Sequence, residues 1–365
     1  MRRILSLDGG GICGVFSLQV LKRIEAILRE ERGRPGLVLR EEFDFFAGTS
    51  TGAIIAAGLA WGMSAADIER FFVEQGAAMF TKASWRGRWR AWYQSEPLAQ
   101  LFRSQFIEDD EARTPAMLGT RRLWEGDRLK YLLVVMRNAS TGAAWPICNN
   151  PNALYNDPQR ADSNLQIPLW QLLRASTAAP TYFAPEEITM DRQTHVFIDG
   201  GITPFNNPAL IAVLTATLPC YRIEWSTGVD ELMVVSVGTG YERVRVAKTE
   251  ARRISIVDEA AYVPPALLSS ISQEQDLMCR VLGECRFGAP LDSEIGSLTG
   301  PGVLGAGEKK FAYVRYNRFF PAEETEAMTR RTGQRFTLDN VGLIPYLQEV
   351  GGEYANASVH REHLL

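Results

Sequence analysis

The sequence predicts an α/β protein whose mostly parallel central sheet is covered by helices. Two observations lead to this prediction. Short apolar segments alternate with helix-periodic segments through residues 2–80, and glycine-rich turns directly follow the first two apolar segments. A strand–helix–strand–helix order with short connections is the pattern of a parallel sheet packed against helices.

The individual elements follow from apolar periodicity and from helix-ending residues. The first helix is expected to end at Gly33 and Pro35, and Ser64 is a predicted N-cap with Asp67 at the third helical position. The predicted strands are residues 2–7, 42–48, 129–139, 195–201, 231–240 and 310–318. The predicted helices are residues 15–33, 51–62, 64–80, 167–185 (including a proline-marked loop), 264–282, 322–331 and 341–350.

Nothing in the sequence marks a clean domain boundary. There is no internal repeat and no low-complexity linker, and the secondary-structure signal weakens beyond residue 241. We therefore expect one core domain over residues 4–240, with a C-terminal extension over residues 241–365 packed on it.

Composition excludes several classes of function. The chain is 46% hydrophobic and 22% charged, which is typical of a globular protein with a sizeable core. A net charge of −4 does not favour binding to a nucleic acid duplex. Five scattered cysteines and three histidines fit no zinc spacing, so neither a metal nor another cofactor is expected. No apolar run is long enough to span a membrane, and the glycine cluster at Gly9 follows "RRILSL" too closely for a cleaved signal peptide, which predicts a cytoplasmic protein.

The segment "DGGGICG", residues 8–14, is the first candidate site. Gly9, Gly11 and Gly14 fit the G-x-G-x-x-G pattern of a dinucleotide-binding turn between a strand and a helix. The acidic residue expected at the end of the second strand is missing, because Ala47 and Gly48 stand there. An anion such as the oxyanion of an acyl intermediate also suits such a loop, and a purely structural turn fits the loop alone equally well.

The second candidate site is the G-x-S-x-G segment from Gly48 to Gly52, which lies between a predicted strand and a predicted helix. This is the pattern of a nucleophile elbow, in which flanking glycines let the neighbouring elements approach and Ser50 is exposed on a sharp turn. The N–H of Thr51 and the helix N-terminus would stabilise developing negative charge. A five-residue pattern also arises by chance, but the strand and helix around it favour the elbow.

A nucleophilic serine needs a base, and the histidines offer little choice. In chain order a triad of Ser50, Asp199 and His360 is possible, while His195 lies inside a predicted strand and His363 near the chain end. Asp199 acting directly is favoured, because it ends a strand and precedes Gly200 and Gly201. The alternative for Asp199 is a structural cap on a glycine turn.

The order "DGGG", "GTSTG" and "DGG" resembles the patatin-like phospholipases, as do "LLRASTAAPTYFAP" and "FNNPA". The resemblance covers about residues 4–240. It implies a three-layer fold with helices on both faces of the sheet, and a Ser50–Asp199 catalytic dyad in place of a triad. The oxyanion loop that it implies consists of Gly9, Gly10 and Gly11.

One residue departs from the family pattern: Cys13 stands where the loop usually carries a basic side chain. This departure removes a positive charge and leaves the backbone donors untouched. Residues 271–296 resemble bacterial patatin-like phospholipases of anti-phage defence that cyclic oligonucleotides activate. That resemblance implies a cyclic di- or trinucleotide activator.

The expected function is phospholipase A-type hydrolysis of glycerophospholipid esters at the inner face of the membrane. The segment "WRGRWRAWY" has three tryptophans, Trp85, Trp89 and Trp92, among arginines. This composition suits the headgroup region of a bilayer, although the tryptophans could equally pack on the protein. Two other functions stay open: a constitutive soluble esterase or thioesterase, and a non-catalytic protein that binds a nucleotide through Gly9–Gly14.

Overall fold

A computed structural model of the chain describes residues 1–84, 91–242, 256–292, 294, 296–297 and 307–365. The strands are β1 (Arg2–Leu7), β2 (Phe45–Thr49), β3 (Ile107–Asp109), β4 (Thr114–Pro115), β5 (Trp124–Glu125), β6 (Arg128–Leu129), β7 (Tyr131–Asn138), β8 (Ala143–Cys148), β9 (Glu186–Met190), β10 (Gln193–Asp199), β11 (Leu232–Val237), β12 (Tyr241–Glu242), β13 (Glu284–Phe287), β14 (Ala312–Tyr316) and β15 (Phe319–Phe320). The helices are α1 (Gly14–Arg32), α2 (Leu39–Glu42), α3 (Thr51–Trp61), α4 (Ala65–Met79), α5 (Ser95–Gln105), α6 (Leu169–Ser176), α7 (Ala209–Thr217), α8 (Ile256–Leu282), α9 (Ala322–Thr332) and α10 (Ile344–Ser358).

A nine-stranded sheet forms the centre of the described structure, in the order β13-β14-β11-β1-β2-β7-β10-β9, with β8 also paired to β7. The pairs from β13 to β7 are all parallel. The strands β8, β9 and β10 are joined by antiparallel pairs at the far side. The predicted mostly parallel α/β sheet is therefore confirmed.

Helices cover both faces of this sheet. Phe45 and Phe46 are neighbours in β2 but enter different buried clusters, because successive strand side chains point to opposite faces. The cluster with Phe46 includes residues of α1, α3, α4, α6 and α10, and the cluster with Phe45 includes residues of α7 and α8. Two helical layers therefore enclose the sheet, as the three-layer prediction requires.

The predicted elements correspond to observed ones, with differences at their ends. Helix α1 ends at Gly33, whose φ of 61° is left-handed, and the Ser64 Oγ accepts a hydrogen bond from the Asp67 N–H at the start of α4. Helix α8 begins at Ile256, earlier than predicted. Helix α10 continues past the predicted end at residue 350, because Gly351 packs closely against Gln19 of α1 and the helix is supported there.

The segment after residue 240 contributes to the same sheet and the same core. Its strands β13 and β14 extend the sheet beyond β11. Its helix α10 packs on α1, where the Phe16 ring lies 5.3 Å from the ring of Tyr354, and Phe320 of β15 lies 5.8 Å from the same Phe16 ring. The residues before and after 240 thus share one sheet. Among the described residues, no helix is long and apolar enough to cross a bilayer.

The strands β2 and β10 run toward each other along the same edge of β7. At residues 133–135 β7 pairs with both β2 and β8, and at residues 136–138 it pairs with both β8 and β10. A strand has two edges, so β2 and β10 share the edge opposite β8. Thr49 at the end of β2 pairs with Val135, and Asp199 at the end of β10 pairs with Met136. The residues that follow β2 and end β10 are therefore brought together by the sheet register.

Candidate active site

Ser50 lies in the turn between β2 and α3. Its φ of 53° and ψ of −122° are a strained backbone conformation for a residue with a side chain, as a nucleophile elbow requires. The Ser50 N–H donates to Ser176 Oγ at 2.9 Å, and the Ser176 hydroxyl donates to the Val135 carbonyl at 2.6 Å. The strained turn is thus tied by one bridging hydroxyl to β7.

Asp199 contacts the Ser50 hydroxyl directly. The Ser50 Oγ donates to Asp199 Oδ2 at 2.7 Å, and the Gly201 N–H donates to Asp199 Oδ1 at 2.6 Å. Burial raises the pKa of Asp199 to about 6, while hydrogen bonds from Ser50 and Gly201 and the charge of Arg174 act in the opposite direction. A carboxylate with this pKa is ionised at neutral pH and basic enough to accept a proton from serine.

The predicted turn glycines are required by close approach. A Cβ at Gly52 would lie 2.2 Å from the Leu7 carbonyl oxygen, and a Cβ at Gly48 would lie 2.2 Å from the Gly52 carbonyl oxygen. A Cβ at Gly200 would lie 2.3 Å from the Val135 carbonyl oxygen. These atoms belong to the backbone and cannot rotate away, so the elbow and the Asp199 turn fit against the sheet only without side chains.

The glycine loop lies beside the elbow. A Cβ at Gly9 would lie 3.3 Å from the Ser50 Cβ. The Gly9 N–H donates to the Asn206 carbonyl at 3.1 Å, so it is not available to bind an anion. The N–H groups of Gly10, Gly11 and Thr51 donate to no residue that the structure describes. Three backbone donors of the loop and the elbow therefore have no partner among the described residues, and Gly9 is not one of them.

A buried ion pair lies at the start of the glycine loop. Asp8 immediately precedes Gly9, and Arg315 of β14 donates to its two carboxylate oxygens at 2.8 and 2.5 Å. Cys13 at the far end of the loop is buried, which raises the pKa of its thiol to about 12 and keeps it neutral. The positive charge that pairs with Asp8 is Arg315, which belongs to the C-terminal segment.

None of the three histidines, all of which the structure describes, bonds to Ser50 or Asp199. His195 pairs with Asn138 on β7, His363 contacts Tyr316, and His360 is exposed beside the Ala357 carbonyl. The alternative triad with His360 is therefore not formed. In the part of the chain that the structure describes, no cluster of His, Cys, Asp and Glu side chains is arranged to hold a metal ion.

Of the three predicted membrane-contact tryptophans, Trp85 and Trp89 lie outside the described residues. Trp92 is 50% exposed, and its backbone N–H donates to the Thr181 carbonyl at 2.9 Å. Thr181 lies in the loop that follows α6, and in the same loop the Ala178 carbonyl accepts the backbone N–H of Asp199 at 3.0 Å. Trp92 is therefore connected to the loop that lies beside Asp199.

Sequence reasoning missed several supporting residues. Ser176 and Arg174 lie within the quoted "LLRASTAAP" segment, and Asn206 lies within "FNNPA", but no pattern indicated which side chain would face the elbow. Arg174 is fully buried and donates to Ser95 Oγ at 2.6 Å and to the Ala184 carbonyl at 2.7 Å. Arg315 belongs to no motif, so only its pairing in the sheet identifies it.

The serine, its carboxylate partner and the free backbone donors are the parts that acyl transfer requires. The sequence profile of the patatin-like phospholipases matches residues 5–213, more than half of the chain. The chain belongs to the patatin-like phospholipase family. The resemblance predicted from the order of the three motifs is therefore confirmed.

Relatives of this patatin-like protein include bacterial and animal proteins. The chain is 31% identical over 248 residues to a cGAMP-activated phospholipase of Vibrio cholerae serotype O1, covering 65% of this chain and 64% of that protein. It is 29% identical over 240 residues to a cGAMP-activated phospholipase of Escherichia coli strain TW11681, covering 65% and 62%. It is 31% identical over 246 residues to the 85/88 kDa calcium-independent phospholipase A2 of Mus musculus, covering 65% and 27%.

The chain thus spans just under two thirds of the length of the two bacterial relatives. Their names agree with the resemblance to cyclic-oligonucleotide-activated bacterial enzymes noted in the sequence. The family match ends at residue 213, so β14 and its Arg315 lie beyond it.

The elbow geometry predicts that Gly52→Ala destabilises this patatin-like protein by about 1–3 kcal/mol, because the added methyl overlaps backbone atoms of β1. The matched control is Gly352→Ala, a helix position with nothing within 4 Å of the new methyl, where no loss is expected. Thermal unfolding of both variants measures the difference. Equal melting temperatures for the two variants would contradict the close approach.

Proposed function

We propose that this protein is a phospholipase A-type lipid acyl hydrolase that uses a Ser50–Asp199 dyad. The observation that supports it most is the 2.7 Å hydrogen bond from Ser50 Oγ to Asp199 Oδ2 at a strained elbow. Membership of the patatin-like phospholipase family supports the same reaction class. The substrate is an ester of a glycerophospholipid, and the products are a lysophospholipid and a fatty acid.

In the first half of the reaction, Asp199 accepts the Ser50 proton while Oγ attacks the ester carbonyl carbon. The carbonyl oxygen becomes an oxyanion, and the N–H groups of Gly10, Gly11 and Thr51 stabilise it. The tetrahedral intermediate then breaks its bond to the lysophospholipid oxygen, which takes the proton from Asp199. An acyl-enzyme on Ser50 remains.

In the second half, Asp199 accepts a proton from water as the water oxygen attacks the acyl carbonyl. The same backbone donors stabilise the second oxyanion. The intermediate releases the fatty acid as Ser50 Oγ leaves and recovers the proton from Asp199. Gly201 holds Oδ1 throughout, so Oδ2 stays directed at the reacting oxygen.

Activation by a cyclic nucleotide is the finer part of the proposal. Two bacterial relatives bear the name cGAMP-activated phospholipase. We extend this to the present chain: a cyclic di- or trinucleotide switches the hydrolase on, and the enzyme degrades membrane lipid in anti-phage defence from the cytoplasmic side. The alternative in the same fold is a constitutive esterase or thioesterase that needs no activator.

Access to a bilayer is supported by exposed apolar side chains on three segments around the dyad. Trp92 is 50% exposed, and Ile202 and Leu338 are each 39% exposed. Ile202 directly follows the turn that holds Asp199, and the Leu338 carbonyl accepts the N–H of Ile12 at the glycine loop. Apolar residues that surround a reactive serine suit contact with the surface of a phospholipid membrane.

The proposed base predicts the pH dependence of the reaction. Asp199 acts in its ionised form, and its pKa is about 6. We therefore expect kcat/KM for a soluble ester to reach a plateau above that value and to fall about tenfold per pH unit below it. The profile is measured from about pH 5 to about pH 8, with tryptophan fluorescence as the check on folding. A profile flat to pH 5 would argue against a carboxylate base.

Fatty-acid release from phospholipid vesicles tests the function itself. The purified protein is assayed with and without a panel of cyclic di- and trinucleotides, and Ser50→Ala is the blank. Because the nucleophile is lost, we expect Ser50→Ala to release no fatty acid. Release with one nucleotide alone supports the gated lipase, and release without any nucleotide removes the gating. Turnover of a soluble ester but not of vesicles favours the esterase, and binding of a dinucleotide without any turnover favours the non-catalytic alternative.

Membrane contact predicts that Trp92→Ala weakens vesicle binding by about tenfold, equivalent to roughly 1.4 kcal/mol of apolar contact. Hydrolysis of a soluble ester should be unaffected, because the side chain does not touch the dyad. Leu154→Ala, at an equally exposed apolar residue on another loop, is the matched control. The triple variant at Trp85, Trp89 and Trp92 extends the test. Vesicle co-sedimentation equal to that of the wild type would remove these residues from the membrane contact.

A further inference from the structure

The loop proposed to receive the oxyanion contains no side chain that could hold it in place. Gly9, Gly10 and Gly11 are bare backbone, so their conformation is imposed by neighbouring residues. The described anchors include the Asn206 carbonyl, which accepts the Gly9 N–H, and Thr239 Oγ1, which donates to the Gly9 carbonyl at 3.2 Å. These are neutral hydrogen bonds. The charged anchor is the Asp8–Arg315 pair.

We propose that Arg315 is a positioning residue for the oxyanion loop, acting through Asp8. The proposal rests on the hydrolase function proposed above. It assigns a role in catalysis to a residue beyond the part of the chain that the family profile matches.

Asp8 connects the glycine loop with the elbow. Its N–H donates to the Val237 carbonyl at 3.1 Å, and its own carbonyl oxygen lies 2.6 Å from where a Cβ at Gly52 would be. The next residue is Gly9, which lies against Ser50. A shift of Asp8 would therefore move the loop donors relative to the nucleophile.

Arg315 is itself fixed in the sheet. Ser6 of β1, Ser236 of β11 and Arg315 of β14 lie in register across three parallel strands. Besides its two bonds to Asp8, the Arg315 guanidinium donates through Nη1 to Ser236 Oγ at 2.7 Å. Arg315 and Asp8 are 2% and 4% exposed. The pair is therefore rigid, buried and bidentate, the geometry in which a guanidinium sets position as well as charge.

Stability alone is a weak reason for such a pair. Removing two charges from water costs several kcal/mol per ion, and well-packed apolar residues often serve a fold equally well. A bidentate pair does, however, select one orientation of the carboxylate. Here the carboxylate belongs to Asp8, the residue that directly precedes the oxyanion loop. Catalysis needs the donors fixed to within a fraction of an ångström, which explains an ion pair at this position.

The test compares three variants on a soluble ester. Arg315→Met removes the fork, and Arg315→Lys keeps the charge but loses bidentate geometry. Arg32→Met is the control, because Arg32 forms another bidentate pair, with Glu42 at 2.9 Å for both bonds, at the end of α1 opposite the glycine loop. We expect Arg315→Met to lower kcat by about 100-fold with KM within about threefold of the wild type. Arg315→Lys should lose about tenfold in kcat.

Arg32→Met should keep kcat close to the wild-type value, since its pair lies at the C-terminal end of α1 and contacts neither Asp8 nor the loop. Equal kcat in Arg315→Met and Arg32→Met would overturn the proposal, and so would a wild-type kcat in Arg315→Lys. Where Arg315→Met fails to fold, the lysine variant decides.

A second measurement does not depend on activity. Hydrogen exchange of the amides of residues 9–14, followed by mass spectrometry, should be faster in the Arg315 variants than in the wild type and in Arg32→Met. Unchanged exchange in both Arg315 variants would overturn the positioning role. If the wild type hydrolyses neither the soluble ester nor vesicles, the proposed function fails, while the exchange comparison still decides whether Arg315 holds the loop.

Discussion

The meeting of β2 and β10 along one edge of β7 is the constraint on which the site depends. The two strands arrive from opposite directions and pair with adjacent residues of β7, Val135 and Met136. Ser50 and Asp199 therefore face each other because of strand register, and a slip of either strand by one residue would separate them. The Val135 carbonyl contacts both the Ser50 turn and the Asp199 turn. It accepts a hydrogen bond from the Ser176 hydroxyl, which in turn accepts the Ser50 N–H, and it also lies against Gly200.

Burial gives Asp199 its chemical character. Desolvation raises the pKa of the carboxyl group to about 6, and the Ser50 and Gly201 hydrogen bonds with the charge of Arg174 keep it from rising further. A solvated aspartate would be a much weaker base, and a fully desolvated one without donors would be protonated at neutral pH. In the proposed reaction, this balance would let one carboxylate act as the base that a histidine supported by a carboxylate provides in a triad. This agrees with the position of the three histidines, which bond elsewhere.

The C-terminal segment contributes to the surroundings of the site. Arg315 holds Asp8, and the Leu338 carbonyl accepts the N–H of Ile12 at 2.7 Å. From α8, Ser272 Oγ accepts the Asn206 side-chain amide at 3.0 Å, and Leu268 lies 3.4 Å from where a Cβ at Gly201 would be. Changes in this segment can therefore reach both the glycine loop and the Asp199 turn.

The sequence by itself determined the α/β class, the strand–helix order and the grouping of the glycine loop, Ser50 and Asp199 into one candidate site. These features are local: apolar periodicity defines strands and helices, and glycines mark turns that admit no side chain. It did not determine the antiparallel side of the sheet or the elements β8, β9, β13, α5 and α7, whose stability comes from packing more than from a local pattern. Three contacts of the site join residues that are distant in sequence. They are the hydrogen bond from the Gly9 N–H to Asn206, the hydrogen bond from the Ser50 N–H to Ser176, and the Asp8–Arg315 pair. Only the tertiary structure decided these contacts, because strand register and burial, which no local pattern encodes, bring such residues within hydrogen-bonding distance.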